Sequence, residues 1–128
     1  MHEMINILMV DDEEDAASLF RQKFRKEVKD GRINLKTASS GAEALEMLKE
    51  IHQAHPLLIL SDINMPGMDG LTLLNEIRRL YPDLMVFMVS AYSNNTAFLH
   101  QAKVGGASDF IPKPIDFYGL KEKIFSMV

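Results

Sequence analysis

The feature that most constrains this chain is a repeated change of hydrophobic period. Five short apolar runs alternate with five stretches whose apolar residues recur every three or four positions. Ile5-Asn6-Ile7-Leu8-Met9-Val10 is the first run and predicts a strand. From Asp12 onward Phe20, Phe24 and Val28 recur at i+4, beside Ala16 and Leu19, which predicts one amphipathic helix ending at Asp30-Gly31. Ile33 to Thr37 alternates like a strand with one wet face. Ser40-Gly41-Ala42-Glu43 reads as a capping box, followed by Ala44, Leu45, Leu48 and Ile51 on a second helix. Leu57 to Leu60 is a third strand that ends at Asp62. After the turn residues Pro66, Gly67 and Gly70, a third helix is lined by Leu71, Leu74, Ile77 and Leu80, and Asp69 is placed to cap it. Leu84 to Val89 is the fourth strand. A fourth helix runs from about Asn94 to Val104, closed by Gly105-Gly106. Ser108 to Ile111 is a short fifth strand, and Asp116 is placed to cap a last helix with Phe117, Leu120, Ile124 and Met127 inward.

Strict alternation of strand and helix implies an α/β fold: a doubly wound five-stranded parallel sheet with helices on both faces. The first, third and fourth strands are apolar throughout and belong inside. The second alternates and the fifth is short, so both belong at the edges. Strand order 2-1-3-4-5 with right-handed crossovers satisfies this, a flavodoxin-like (βα)5 arrangement. Ligands of such sheets sit beyond the carboxyl ends of the strands, at the switch point between strands 1 and 3.

The chain has 128 residues, 47% of them hydrophobic, which suits one domain over residues 1–128 with a substantial core. Cysteine is absent, so disulfides, thiolate metal sites and thiol nucleophiles are excluded. No apolar run approaches the ~20 residues of a membrane helix. The N-terminus carries no basic region of a signal peptide, so a cytoplasmic location is expected. The net charge of −4 is unevenly spread. Residues 1–15 hold six acids and no Lys or Arg, leaving fourteen basic side chains against twelve acids elsewhere. Seven of those bases (Arg21, Lys23, Arg25, Lys26, Lys29, Arg32, Lys36) fall in residues 21–36, either a solvated face or a protein-docking surface. The protein is nevertheless net acidic, which argues against direct nucleic-acid binding.

The predicted topology brings chemistry to one edge of the sheet. Strand 1 runs into Asp11-Asp12, strand 3 ends at Asp62, strand 4 at Ser90, and Lys113 follows strand 5. Three carboxylates in one crevice repel unless a cation intervenes. An oxygen-only set suits a hard cation, and Mg2+ fits best because it keeps several waters. His2, His52, His55 and His100 lie away from these ends, which argues against zinc. Cation, ammonium and hydroxyl around a carboxylate are what a transferring phosphoryl group needs, and Asp62 is the central acceptor. Singly, these residues are ordinary: a strand-end Asp is often a cap, and Glu13 to Asp15 suit a helix N-terminus.

In this order and spacing, Val10-Asp11-Asp12, Asp62-Ile63-Asn64-Met65-Pro66-Gly67-Met68-Asp69-Gly70, Ser90-Ala91 and Lys113-Pro114 resemble the receiver domain of bacterial two-component response regulators, the CheY-like fold. The resemblance spans Ile5 to about Met127. It implies that Asp62 accepts a phosphoryl group from a histidine kinase or histidine phosphotransfer protein. It implies Mg2+ ligation by Asp12 and Asp62, by Asp11 through water and by the backbone carbonyl of Asn64. Lys113 and Ser90 would contact the phosphoryl group, Ser90 and Phe110 would form the switch, and Lys113-Pro114 would be cis. Phe110 lacks the hydroxyl of the family's common tyrosine, so its part in the switch rests on packing. Asn64 and Tyr92 stand where the family tunes the lifetime of the phosphoaspartate. The partner surface would be helix 4, strand 5 and helix 5, with Phe98, Phe117 and Tyr118 as contacts.

The expected function is therefore a phosphorylation-dependent switch that catalyses only its own phosphotransfer and dephosphorylation. It would act alone on a downstream protein, or as the receiver part of a longer regulator with an output domain. A metal-dependent aspartyl phosphatase is disfavoured, because Asn64 stands where that chemistry wants a general acid. A flavodoxin-like cofactor binder is disfavoured because Asp11-Asp12-Glu13-Glu14 would repel a phosphate. A degenerate receiver is disfavoured because the acids and Lys113 are all present.

Overall fold

The structure is a computed structural model that describes residues 4–63, 65, 67–91 and 96–127, with backbone alone for 96–99. Five strands, β1 (Ile5–Val10), β2 (Ile33–Ala38), β3 (Leu57–Asp62), β4 (Met85–Ser90) and β5 (Asp109–Pro112), form one sheet. Their order is β2-β1-β3-β4-β5 and every pairing is parallel. The apolar runs are interior and the two weaker strands are the edges, as the patterning predicts.

The helices are α1 (Glu14–Lys23), α2 (Arg25–Lys29), α3 (Gly41–Ile51), α4 (Gly70–Leu80), α5 (Thr96–Val104) and α6 (Phe117–Ser126). Alternate strand residues feed two apolar layers. Leu8, Val10, Ile59 and Val86 pack with Ala44 and Leu48 of α3, Leu74 and Ile77 of α4 and Ala102 of α5. Ile7, Met9, Leu58, Leu60 and Val89 pack with Phe20 of α1, Phe24, and Leu120 and Ile124 of α6.

The first helical segment differs from its prediction. The backbone leaves helical geometry at Phe24 (φ −101°, ψ 8°) and splits the expected helix into α1 and α2. The physical reason is packing. Phe24 is fully buried, 5.8 Å from the Phe20 ring and 6.2 Å from that of Phe117. Past the break, Glu27 is buried whereas Val28, expected inward, is exposed, as is Leu19.

Other helices follow the pattern with local changes. Ser40 Oγ accepts from the Glu43 amide, but the Glu43 carboxylate bonds Ser39 rather than closing the box on Ser40. Asp69 caps α4 through the Thr72 amide at 2.8 Å. The inner face of α4 is Leu73, Leu74 and Ile77, while Leu71 is half-buried and Leu80 exposed. Asp116 occupies the position before α6 without a side-chain capping bond. No helix among the described residues is long and apolar enough to cross a membrane.

Candidate functional site

The chemistry gathers because parallel strands end together. Asp62 is the last residue of β3 and is paired in register with Val89 of β4. Ser90 ends β4, and its carbonyl accepts from the Lys113 amide at 3.0 Å, which draws the segment after β5 across the sheet edge. Asp11 follows β1, with its amide donating to Ala38 of β2 at 3.1 Å. Asp62 and Asp11 continue the alternation of Leu60 and Met9, so both carboxylates turn toward the α1/α6 side.

Asp11 and Asp62 are buried, 5% and 7% exposed, whereas Asp12 is exposed. Lys113 bridges the buried pair: its Nζ lies 3.2 Å from Asp62 Oδ2 and 3.5 Å from Asp11 Oδ2. The other oxygen of Asp11 accepts from the Glu13 amide at 2.9 Å, which orients the carboxylate. Burial pushes the Lys113 ammonium down, but the charges and hydrogen bonds of Asp62 and Asp11 outweigh it and hold the ammonium above its ordinary range. The ammonium is therefore a fixed positive charge at neutral pH.

Asp11, Asp12 and Asp62 each offer an oxygen within 4.8 Å of the others'. Three carboxylate oxygens, one on an exposed residue, fit a hard divalent cation that completes its shell with water. The loop after β3 folds tightly over this point. The Gly70 amide donates to the Ile63 carbonyl at 2.7 Å, and a Cβ at Gly70 would collide with the Asp62 carbonyl. Glycine is required there for close approach.

Ser90 is buried at the crevice. Phe110 is half-buried and packs on the other side of the sheet, against the layer that includes α4 and α5. The Lys113–Pro114 bond is cis, and so is His55–Pro56, which no sequence signal singled out. Asn64 and Tyr92 lie outside the described residues, as does the side chain of Phe98. Of the expected partner contacts, Tyr118 is 76% exposed, but Phe117 turns inward, edge-on to Phe20 at 5.2 Å.

Sequence reasoning missed two features here. One is a cavity of about 330 Å3 that opens beside Asp62 and Lys113 and runs under α1. The other is a second buried acid–lysine pair, Glu27 with Lys121, at the seam of α2 and α6. Neither leaves a local motif, because each joins residues far apart in the chain.

The chain matches the response regulator receiver domain family over residues 7–125 and belongs to that family. It is 35% identical over 120 residues to the transcriptional regulatory protein ZraR of Escherichia coli (strain K12), covering 94% of this chain and 25% of that protein. The chain thus spans about a quarter of that curated relative's length. Two solved structures superpose closely. One is a chain of the CheX–CheY–BeF3–Mg2+ complex from Borrelia burgdorferi, with a TM-score of 0.83 and 31% identity, covering 96% of this chain and 88% of that one. The other is the response regulator TrrA from Thermotoga maritima in complex with Mg2+–BeF, with a TM-score of 0.77 and 31% identity, covering 98% of this chain and all of that one.

Proposed function

We propose that Asp62 is the phosphoacceptor of a two-component signalling switch, phosphorylated by a histidine kinase or histidine phosphotransfer protein in the cytoplasm. The observation that carries this reading is the Asp62–Lys113 pair at 3.2 Å, set inside a three-carboxylate crevice at the switch point of the sheet. Asp62 would attack phosphorus through a carboxylate oxygen, while Lys113 balances charge on the phosphoryl oxygens. Asp11, Asp12 and Asp62 would hold Mg2+, with the backbone carbonyl of Asn64 as a further ligand. Bound there, the ion supplies positive charge that offsets carboxylate crowding and phosphoryl charge.

Ser90 would then turn toward the new phosphoryl group, and Phe110 would repack against the α4/α5 layer. The changed surface would bind a downstream protein, or an output domain in a longer regulator, as the length of ZraR favours. The protein would turn over no separate substrate and would not itself contact nucleic acid. The test is incubation with Mg2+ and acetyl phosphate, followed by intact mass. One acid-stable, base-labile phosphoryl group is expected on the wild type and none on Asp62→Ala. A wild type that stays unmodified and shows no Mg2+ affinity overturns the reading.

A further inference from the structure

Most of the basic stretch gathers at one corner of the molecule, far from the crevice. Arg32 immediately precedes β2, and its carbonyl accepts from the amide of Ile5, the first residue of β1, at 2.9 Å. The corner formed by the end of α1, by α2 and by Arg32 therefore lies at the amino end of the sheet. The six residues of β1, at ~3.3 Å each, set it ~20 Å from Asp11 and Asp62. Lys23, Arg25, Lys26, Lys29 and Arg32 are all exposed there. Glu27 is buried and paired with Lys121, which leaves Asp30 as the one exposed acid of residues 21–36. Among the described residues, none of Lys23, Arg25, Lys26 and Lys29 forms an ion pair. Two bases rest on rings: Arg32 lies 4.3 Å from the centre of Phe125 and Lys23 5.8 Å from that of Phe117. Between Lys26 and Lys29 stands the apolar Val28, 43% exposed.

We infer that this corner docks on the surface of a bilayer that carries anionic lipid headgroups. Charge sets the sign of the partner, since five exposed bases outweigh one exposed acid. Val28 narrows the class. An apolar tip gains burial at the boundary of headgroups and acyl chains, while its basic neighbours stay among the headgroups. Shape narrows it further. The bases spread over the outer face of a short helix and line none of the four cavities described, so they offer charge to an extended surface rather than a groove to an inserted segment. The net charge of −4 does not oppose docking, because the crevice acids lie beyond the ~8 Å over which charges act at physiological ionic strength. With the corner on the bilayer, the crevice end of the sheet faces away and stays open. The inference does not depend on Asp62 being the phosphoacceptor.

Co-sedimentation of the full chain with vesicles tests this. The probes are phosphatidylcholine alone and a mixture of about 2:1 with phosphatidylglycerol, at physiological ionic strength. The wild type is expected to pellet with the mixed vesicles, to stay in solution with phosphatidylcholine, and to be released by high salt. Lys26→Gln and Lys29→Gln should each weaken partitioning about fivefold, the scale for one base near an anionic bilayer. Val28→Ser should weaken it by a smaller factor. Lys103→Gln makes the same charge change on α5, which packs on the other face of the sheet, and should leave partitioning unchanged. Asp62→Asn should also leave it unchanged, because the crevice faces away. A wild type that ignores the anionic vesicles overturns the inference. So does an equal loss with Lys103→Gln, which would mark a bulk-charge effect. Tighter binding to an oligoglutamate peptide or to duplex DNA than to the vesicles would assign the corner to a polypeptide or a nucleic acid and overturn the bilayer.

Discussion

Among the described residues, a lysine meets buried acid at two places, at nearly the same distance and in opposite surroundings. At the crevice, Lys113 lies 3.2 Å from Asp62 and 3.5 Å from Asp11, with Asp12 close by. At the α2/α6 seam, Lys121 lies 3.1 Å from Glu27, which is 8% exposed. Burial pushes Glu27 up, but the Lys121 hydrogen bond and the charges of Lys121 and Arg32 bring it below the ordinary carboxylate range. The seam thus sets two cations against one carboxylate. Lys121 also sits over the Phe24 ring at 5.4 Å, which helps hold it in place. Among the described residues, the crevice sets three carboxylates against one ammonium. An acid excess attracts further positive charge, whereas the cation excess at the seam does not. Proximity of opposite charges alone does not mark a functional site, and the local balance of charge does.

The comparison can be broken most directly by neutralising each acid. Asp62→Asn should abolish phosphoryl uptake, with stability unchanged or slightly raised because one crowded carboxylate is gone. Glu27→Gln should leave uptake intact. Uptake lost in both, measured by intact mass alongside urea melts, would erase the distinction. Lys113→Met should slow uptake about a hundredfold, the scale for removing one donor to a developing anion. Lys121→Met should leave the rate unchanged.

Stability should show the reverse order. Glu27→Gln should cost about 1–2 kcal/mol in urea unfolding, because it strips Lys121 of its charged partner at a buried position. Glu27→Met should stay within about 1 kcal/mol of the wild type, since an apolar side chain of similar size needs no partner and one Glu27 oxygen already lacks a hydrogen bond. A large loss with Met would mean the pair is stabilising beyond its packing.

The smallest effects lie in pH dependence and separate the pairs by sign. Glu27 is lowered from 4.5, so its contribution is present above that value and lost as pH falls through its folded value. Glu27→Gln should therefore flatten the acid limb of stability below about pH 4.5. Lys113 is raised from 10.5, so its contribution is present below that value and lost as pH climbs through its higher folded value. Lys113→Met should flatten the alkaline limb above about pH 10.5. Stability curves that keep their shape in both variants would show that neither pair is linked to folding.

The alternation of periods settled the fold class, the strand order and the edge at which Asp11, Asp62, Ser90 and Lys113 meet. These are legible because burial imposes a period on every strand and helix, and a parallel sheet then aligns all strand ends. The seam was not legible. Glu27 falls within the basic stretch of residues 21–36, and the i+4 spacing places the apolar Val28 beside it in the core. The break at Phe24 reversed both, and it depends on Phe20 and Phe117 filling space from other elements. The cavity under α1 likewise exists only once Leu19, Ile115 and the ends of β1, β3 and β4 are assembled. The sequence by itself determined which residues reach the crevice, because local periodicity encodes topology. Only the tertiary structure decided how charge is balanced around each buried acid, because that depends on partners the chain brings from far away.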